Sequence, residues 1–64
     1  MNYKKLIIEI TNNKIRSDKE EKNNLKYKLK TIKDPITKYK LESELNIIYH
    51  RLELRYEYLK TINK

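Results

Sequence analysis

Asp34-Pro35 is the place where this chain has to turn, because it holds the one proline of a sequence that contains no glycine. Proline fixes its own φ and drives the preceding residue out of the helical region, so a helix arriving from the N-terminal side ends by about Lys33. Asp34 suits an N-cap and Pro35 suits the first helical position, so a second helix can begin at once. With so few residues between them, the two helices fold back as an antiparallel hairpin. The lack of glycine rules out nearly every turn that needs positive φ, except through Asn. It also excludes phosphate-cradling glycine loops and dinucleotide fingerprints.

Sixty-four residues make one domain, spanning 1–64. A chain of this size buries only about 60% of its unfolded surface, so a lone two-helix hairpin is marginal. Cysteine is absent, which removes disulfides and thiolate metal sites, and one histidine cannot build a histidine-based metal cluster. Oligomerisation is the remaining route to a larger core. The expected fold is therefore all-α: an antiparallel two-helix hairpin that dimerises into a four-helix bundle, with no cofactor and no metal. No apolar run reaches the roughly 18 residues of a spanning helix. MNYKKLIIEITNN is too short and too polar in its apolar part for a signal peptide, so a soluble, cytoplasmic protein is expected.

The helices differ in how plainly they announce themselves. The second, from Pro35 to about Ile62, carries Leu41, Leu45, Ile48, Leu52, Tyr56 and Leu59 on one stripe at helical spacing. Ile36, Ile47, Leu54 and Tyr58 fall on a second patch roughly 100–150° round, which is the expected oligomer interface. The first half is less decided. Tyr3, Leu6, Ile7 and Ile10 fit a helical stripe, yet LIIEI also fits a short strand. Ser17-Asp18-Lys19-Glu20 has the form of a capping box, so a fresh helix could start at Ser17. Length matching favours one helix over about 3–33, since it pairs with the roughly 28 residues of the second. Its middle is poor in apolar residues, with Lys14, Asp18 and Glu21 at the expected core positions.

Charge is the other strong feature. The net charge is +7, and residues up to Lys33 hold ten Lys/Arg against four Asp/Glu, or +6, leaving +1 for the rest. Such asymmetry points to a polyanionic partner or an anionic membrane surface for the first half. Lys19, Lys22, Lys26, Lys30 and Lys33 recur at 3, 4, 4 and 3, forming one row on a helix. Like charges at that spacing repel, so the row does not serve helix stability; a phosphate backbone would use it, and a solvated face is the plainer alternative. Lys26-Tyr27-Lys28 and Lys38-Tyr39-Lys40 repeat one triplet on either side of the bend, placing two tyrosines at one height near the tip. Lysine beside an exposed ring suits bases that stack, and equally suits a protein contact.

The remaining polar residues suggest structure before chemistry. Arg51 and Arg55 are expected to pair with carboxylates such as Glu44 across a seam. His50 has no neighbouring Ser, Asp or Cys, and Glu53 with Glu57 face outward with no loop to make a pocket, so no catalytic residue is assigned and enzyme activity is not expected. No motif in the chain identifies a family. The expected function is a small nucleic-acid-binding accessory or regulatory protein, of the kind found in viruses or plasmids. It would contact DNA or RNA phosphates through Lys19, Lys22, Lys26, Lys28, Lys30, Lys33, Lys38 and Lys40 with Tyr27 and Tyr39. The alternative is an adaptor or inhibitor that docks a helical face on a larger protein, and a membrane surface ranks behind both.

Overall fold

A computed structural model describes residues 2–63 as two helices packed against each other, α1 (Tyr3–Thr31) and α2 (Pro35–Ile62). There are no strands among the described residues, so LIIEI is helical, and α1 runs unbroken through Asn12–Ser17. Asn2 caps α1 by accepting from the Lys5 backbone N–H at 3.3 Å. At the other end the Ile32 N–H donates to the Lys28 carbonyl at 3.1 Å, and the backbone then extends at φ −83°, ψ 131°. Asp34, also extended, caps α2 from the position immediately before it: its carboxylate accepts from the Ile36 N–H at 3.3 Å and the Thr37 hydroxyl at 2.6 Å. The corner needs no positive φ, and none occurs among the described residues. That is how a glycine-free chain turns: it extends before it reverses.

The seam between the helices follows a 3–4 spacing in both. On α1 the residues turned inward are Ile8, Thr11, Ile15, Asp18, Lys22, Leu25, Leu29 and Ile32; on α2 they are Leu41, Leu45, Ile48, Leu52, Arg55, Leu59 and Ile62. This is the heptad repeat of a coiled coil. Ile15, Leu25, Ile48 and Leu52 form its buried centre, with Leu41, Leu45 and Leu59 packed around them, and Ile48 is only 2% exposed. Two expectations change here. Arg55, not Tyr56, takes the inward position on α2, and Tyr56 lies on the flank. On α1 the inward face is Ile8–Thr11–Ile15, while Leu6, Ile7 and Ile10 point out. The phase is set by the packed residues Leu25, Leu29 and Ile32, and three- and four-residue steps carry it back to Ile8. Thr11, caught in the seam, satisfies its hydroxyl by donating to the Ile7 carbonyl at 2.8 Å.

The cross-helix pairs Asp18–Arg55 and Glu21–Arg51 fix the antiparallel register. Thr11 comes level with Ile62, and Ile32 with Leu41. The helices are therefore staggered, with residues 33–40 and 2–7 projecting at opposite ends, all of them exposed. The long axis of 51 Å agrees, since either helix alone would span only about 43 Å.

Candidate nucleic-acid interface

A two-stranded antiparallel coil has two broad sides, and here they differ in chemistry. On one side the flank of α1 carries Lys19 and Lys26, seven residues apart, opposite Tyr49 and Tyr56 of α2, also seven apart. The Lys19 ammonium lies 5.9 Å from the centre of the Tyr56 ring. Lys22 and Lys26 bracket Tyr49 at 6.0 and 5.7 Å. These distances are at the outer limit of a cation–π contact, so each contributes at the low end of about 0.5–1 kcal/mol. Lys22, half-buried, occupies a seam position and covers the apolar residues beneath it with its stem. The first three lysines of the row thus lie together over two tyrosine rings and Lys30 continues it toward the corner, but Lys33 lies past the end of α1 in the extended connection and so leaves the helical row; both are exposed.

The tip collects the rest. Every residue from Lys33 to Lys40 is exposed, so Lys33 on the connection and Lys38 and Lys40 on the projecting first turns of α2 form the tip, with Lys28 and Lys30 just below on α1. Between Lys22 and Lys40 there are seven lysines and one carboxylate. That carboxylate, Asp34, is turned into the helix cap, where the Thr37 hydroxyl and then the Ile36 N–H hold its pKa below the usual aspartate value. Among the described residues the ion pairs all use arginine, and no lysine is paired. Tyr27 and Tyr39 are 71% and 73% exposed. They are not at one height, however. In the staggered register Tyr27 is level with about Asn46, which places Tyr39 about 10 Å nearer the tip. The extended connection Ile32–Asp34 carries the chain onward before it doubles back, and this separates the two triplets.

The opposite side is built differently. Arg51 donates from Nη2 to Glu21 Oε2 at 3.2 Å and lies 3.4 Å from Asp18 Oδ1. Arg55 donates from Nε to Asp18 Oδ2 at 2.6 Å, and Asp18 is only 5% exposed. Both arginines do pair across the seam, but with Asp18 and Glu21 of α1 and not with Glu44. Antiparallel pairing brings α1 residue i near α2 residue 73 − i, and Glu44, on the arginines' own helix, faces the level of Lys28. Flanking this network are Ile7 and Ile10 of α1 and Ile47, Leu54 and Tyr58 of α2, all exposed. Ile36 is set apart from them, about 16 Å along the axis from Ile47 on the projecting tip.

Tyr49 and Tyr56 were invisible as partners of the lysine row until the register was known. Their seven-residue spacing, matched to that of Lys19 and Lys26, is the signal that could have found them. No pocket and no cluster of three or more metal-ligating side chains occurs among the described residues. No helix among them is long and apolar enough to cross a membrane. No known protein family, characterised protein or solved structure matches this chain.

Proposed function

We propose that this protein binds the phosphate backbone of nucleic acid through its lysine side and hairpin tip, acting as a small accessory or regulatory factor, and that it does so as a homodimer. One observation carries the reading: seven lysines between Lys22 and Lys40 have no ion-pair partner, and the single carboxylate among them is engaged in a helix cap. Unpaired ammonium groups held on a rigid helix repel one another. A polyanion relieves that repulsion and gains the entropy of released counterions. From Lys19 to Lys30 the row is about 16 Å long, over which a duplex carries roughly ten phosphate charges. The half-exposed rings of Tyr49 and Tyr56 and the exposed Tyr27 and Tyr39 add surfaces on which unpaired bases can stack.

The test is fluorescence anisotropy of labelled DNA and RNA, single- and double-stranded, against rising salt. Contacts to about five phosphates predict a log–log slope near −4.5 on duplex. Replacing Lys22, Lys26, Lys30 and Lys33 by Glu should abolish binding while helicity persists. Binding that ignores both salt and this fourfold change would refute the reading. The adaptor alternative draws on the opposite side, where Ile47 and Leu54 are exposed. It predicts that Ile47→Asp abolishes capture of a protein partner and leaves nucleic-acid affinity unaltered.

A further inference from the structure

We infer that a second copy of this chain covers the apolar side formed by Ile7, Ile10, Ile47, Leu54 and Tyr58, so that the dimer presents two lysine–tyrosine sides facing away from each other. The surface area of this elongated hairpin, 51 Å long, leaves room for a neighbour. A compact monomer of 7.9 kDa exposes about 4,400 Å² by the usual scaling, whereas this chain exposes 5450 Å². The excess of about 1,000 Å² is slightly more than the roughly 800 Å² that each partner contributes to a standard interface. The apolar residues available for it run about 28 Å along one side, from Ile7 past Tyr58 and Leu54 to Ile47, and are drawn from both helices. That is more than a single buried seam can accommodate and is the layout of one half of a four-helix bundle.

Charge selects the occupant. A copy with a net charge of +7 cannot approach another through the tip or the lysine side without strong repulsion. On the apolar side Arg51 and Glu21 neutralise each other, and the unpaired lysines Lys14 and Lys28, each seven residues from Glu21 along α1, stand toward either end of the patch. Like molecules can therefore meet there and nowhere else so cheaply. The geometry has a consequence that rests on the nucleic-acid reading: with the apolar sides back to back, each dimer can hold two nucleic-acid segments, one on either outer side. Ile36, at the tip, lies outside this interface, unlike the other three residues of its sequence-predicted patch.

Sedimentation equilibrium of the full chain tests the assembly without any ligand. At tens of micromolar it should give twice the 7.9 kDa chain mass. Ile10→Asp with Leu54→Asp should give the single-chain mass with helicity retained, and Ile36→Asp should remain a dimer. A monomeric wild type overturns the inference, as does a dimer that survives the paired aspartates. The chain has no cysteine, so spin labels offer a reading that does not depend on disrupting the interface. Labels at Ser17→Cys, exposed on the same side seven residues from Ile10, should couple more strongly across the dimer than labels at His50→Cys on the outer crest; the reverse order overturns the assignment of the side. Bridging is read separately, as energy transfer between two differently labelled duplexes. It should be lost in the Ile10→Asp, Leu54→Asp protein although each duplex still binds. A dimer that binds no duplex at all would remove the nucleic-acid reading and leave the interface standing.

Discussion

Replacing Arg55 by Leu removes the shortest cross-helix hydrogen bond among the described residues, the 2.6 Å bond from Nε to Asp18 Oδ2. Asp18 has a side chain only 7% exposed, and after the change it keeps one partner, Arg51 Nη2 at 3.4 Å. Breaking a buried pair from one side costs about 3–5 kcal/mol, because the remaining charge is held out of water without compensation. The surviving Arg51 places the expected loss near the lower limit, about 3 kcal/mol. The whole fold of a 64-residue chain is worth about 3–10 kcal/mol, so this change consumes most of it at the low end. In urea, with a slope near 1 kcal/mol per M, the midpoint followed by circular dichroism should fall by about 3 M. The double change Asp18→Leu with Arg55→Leu should behave oppositely, equalling or exceeding wild type by about 1–4 kcal/mol, since two leucines complete an apolar seam. A control is needed for the lost positive charge. Arg16→Leu changes it equally at an exposed position with no ion pair and should move stability by less than about 0.5 kcal/mol. If Arg55→Leu tracks Arg16→Leu, or the double variant falls as far as the single, Asp18 is not in the seam and the register is wrong.

Leu52→Ala, at a position 6% exposed, should cost about 2–5 kcal/mol and leave little folded protein by thermal melting. Lys22→Leu fills a half-buried seam position and should raise stability by about 1 kcal/mol, while the salt slope for nucleic acid flattens by about 1. Asp34 has a folded-state pKa below its unfolded value, so its capping contribution is complete above the unfolded pKa and is lost as pH falls through the folded one. Thermal stability should accordingly decline below about pH 4, and Asp34→Ala should flatten that part of the profile while lowering the melting temperature at pH 7.

The corner and the second helix were legible because each rests on local chemistry. Asp34-Pro35 is both a stop and a start, and Leu41, Leu45, Ile48 and Leu52 repeat at a period that a helix alone explains. The first helix was harder because three of its eight inward positions are polar: Thr11, Asp18 and Lys22 interrupt Ile15 and Leu25. An apolar stripe chosen by hydrophobicity then favours Leu6, Ile7 and Ile10, which are the most apolar run but not the inward face. Tyr56 was preferred over Arg55 for the same reason. What decides is pairing: Asp18 can enter the seam only because Arg55 meets it there, and neither residue announces this alone. The stagger was equally hidden, since it depends on how far three extended residues carry the chain.

Placing a buried aspartate–arginine pair in the middle of a short seam makes sense in light of the two unlike sides. In an all-leucine seam the three-residue connection alone would hold the register, and unwinding of a helix end into it would let Lys19 and Lys26 slide along Tyr49 and Tyr56. A single polar pair penalises every register but one, because any other leaves Asp18 buried without a partner. The register in turn aligns the lysines into one side and gathers Ile7, Ile10, Leu54 and Tyr58 on the other. The stability given up at Asp18 is thus tied to the arrangement of both surfaces. It also leaves the isolated hairpin near its limit, where anything that binds only the folded form, whether polyanion or second copy, raises stability in proportion to the logarithm of its concentration. On the proposed reading, folding, assembly and phosphate binding would then be linked through one seam contact, Asp18 to Arg55.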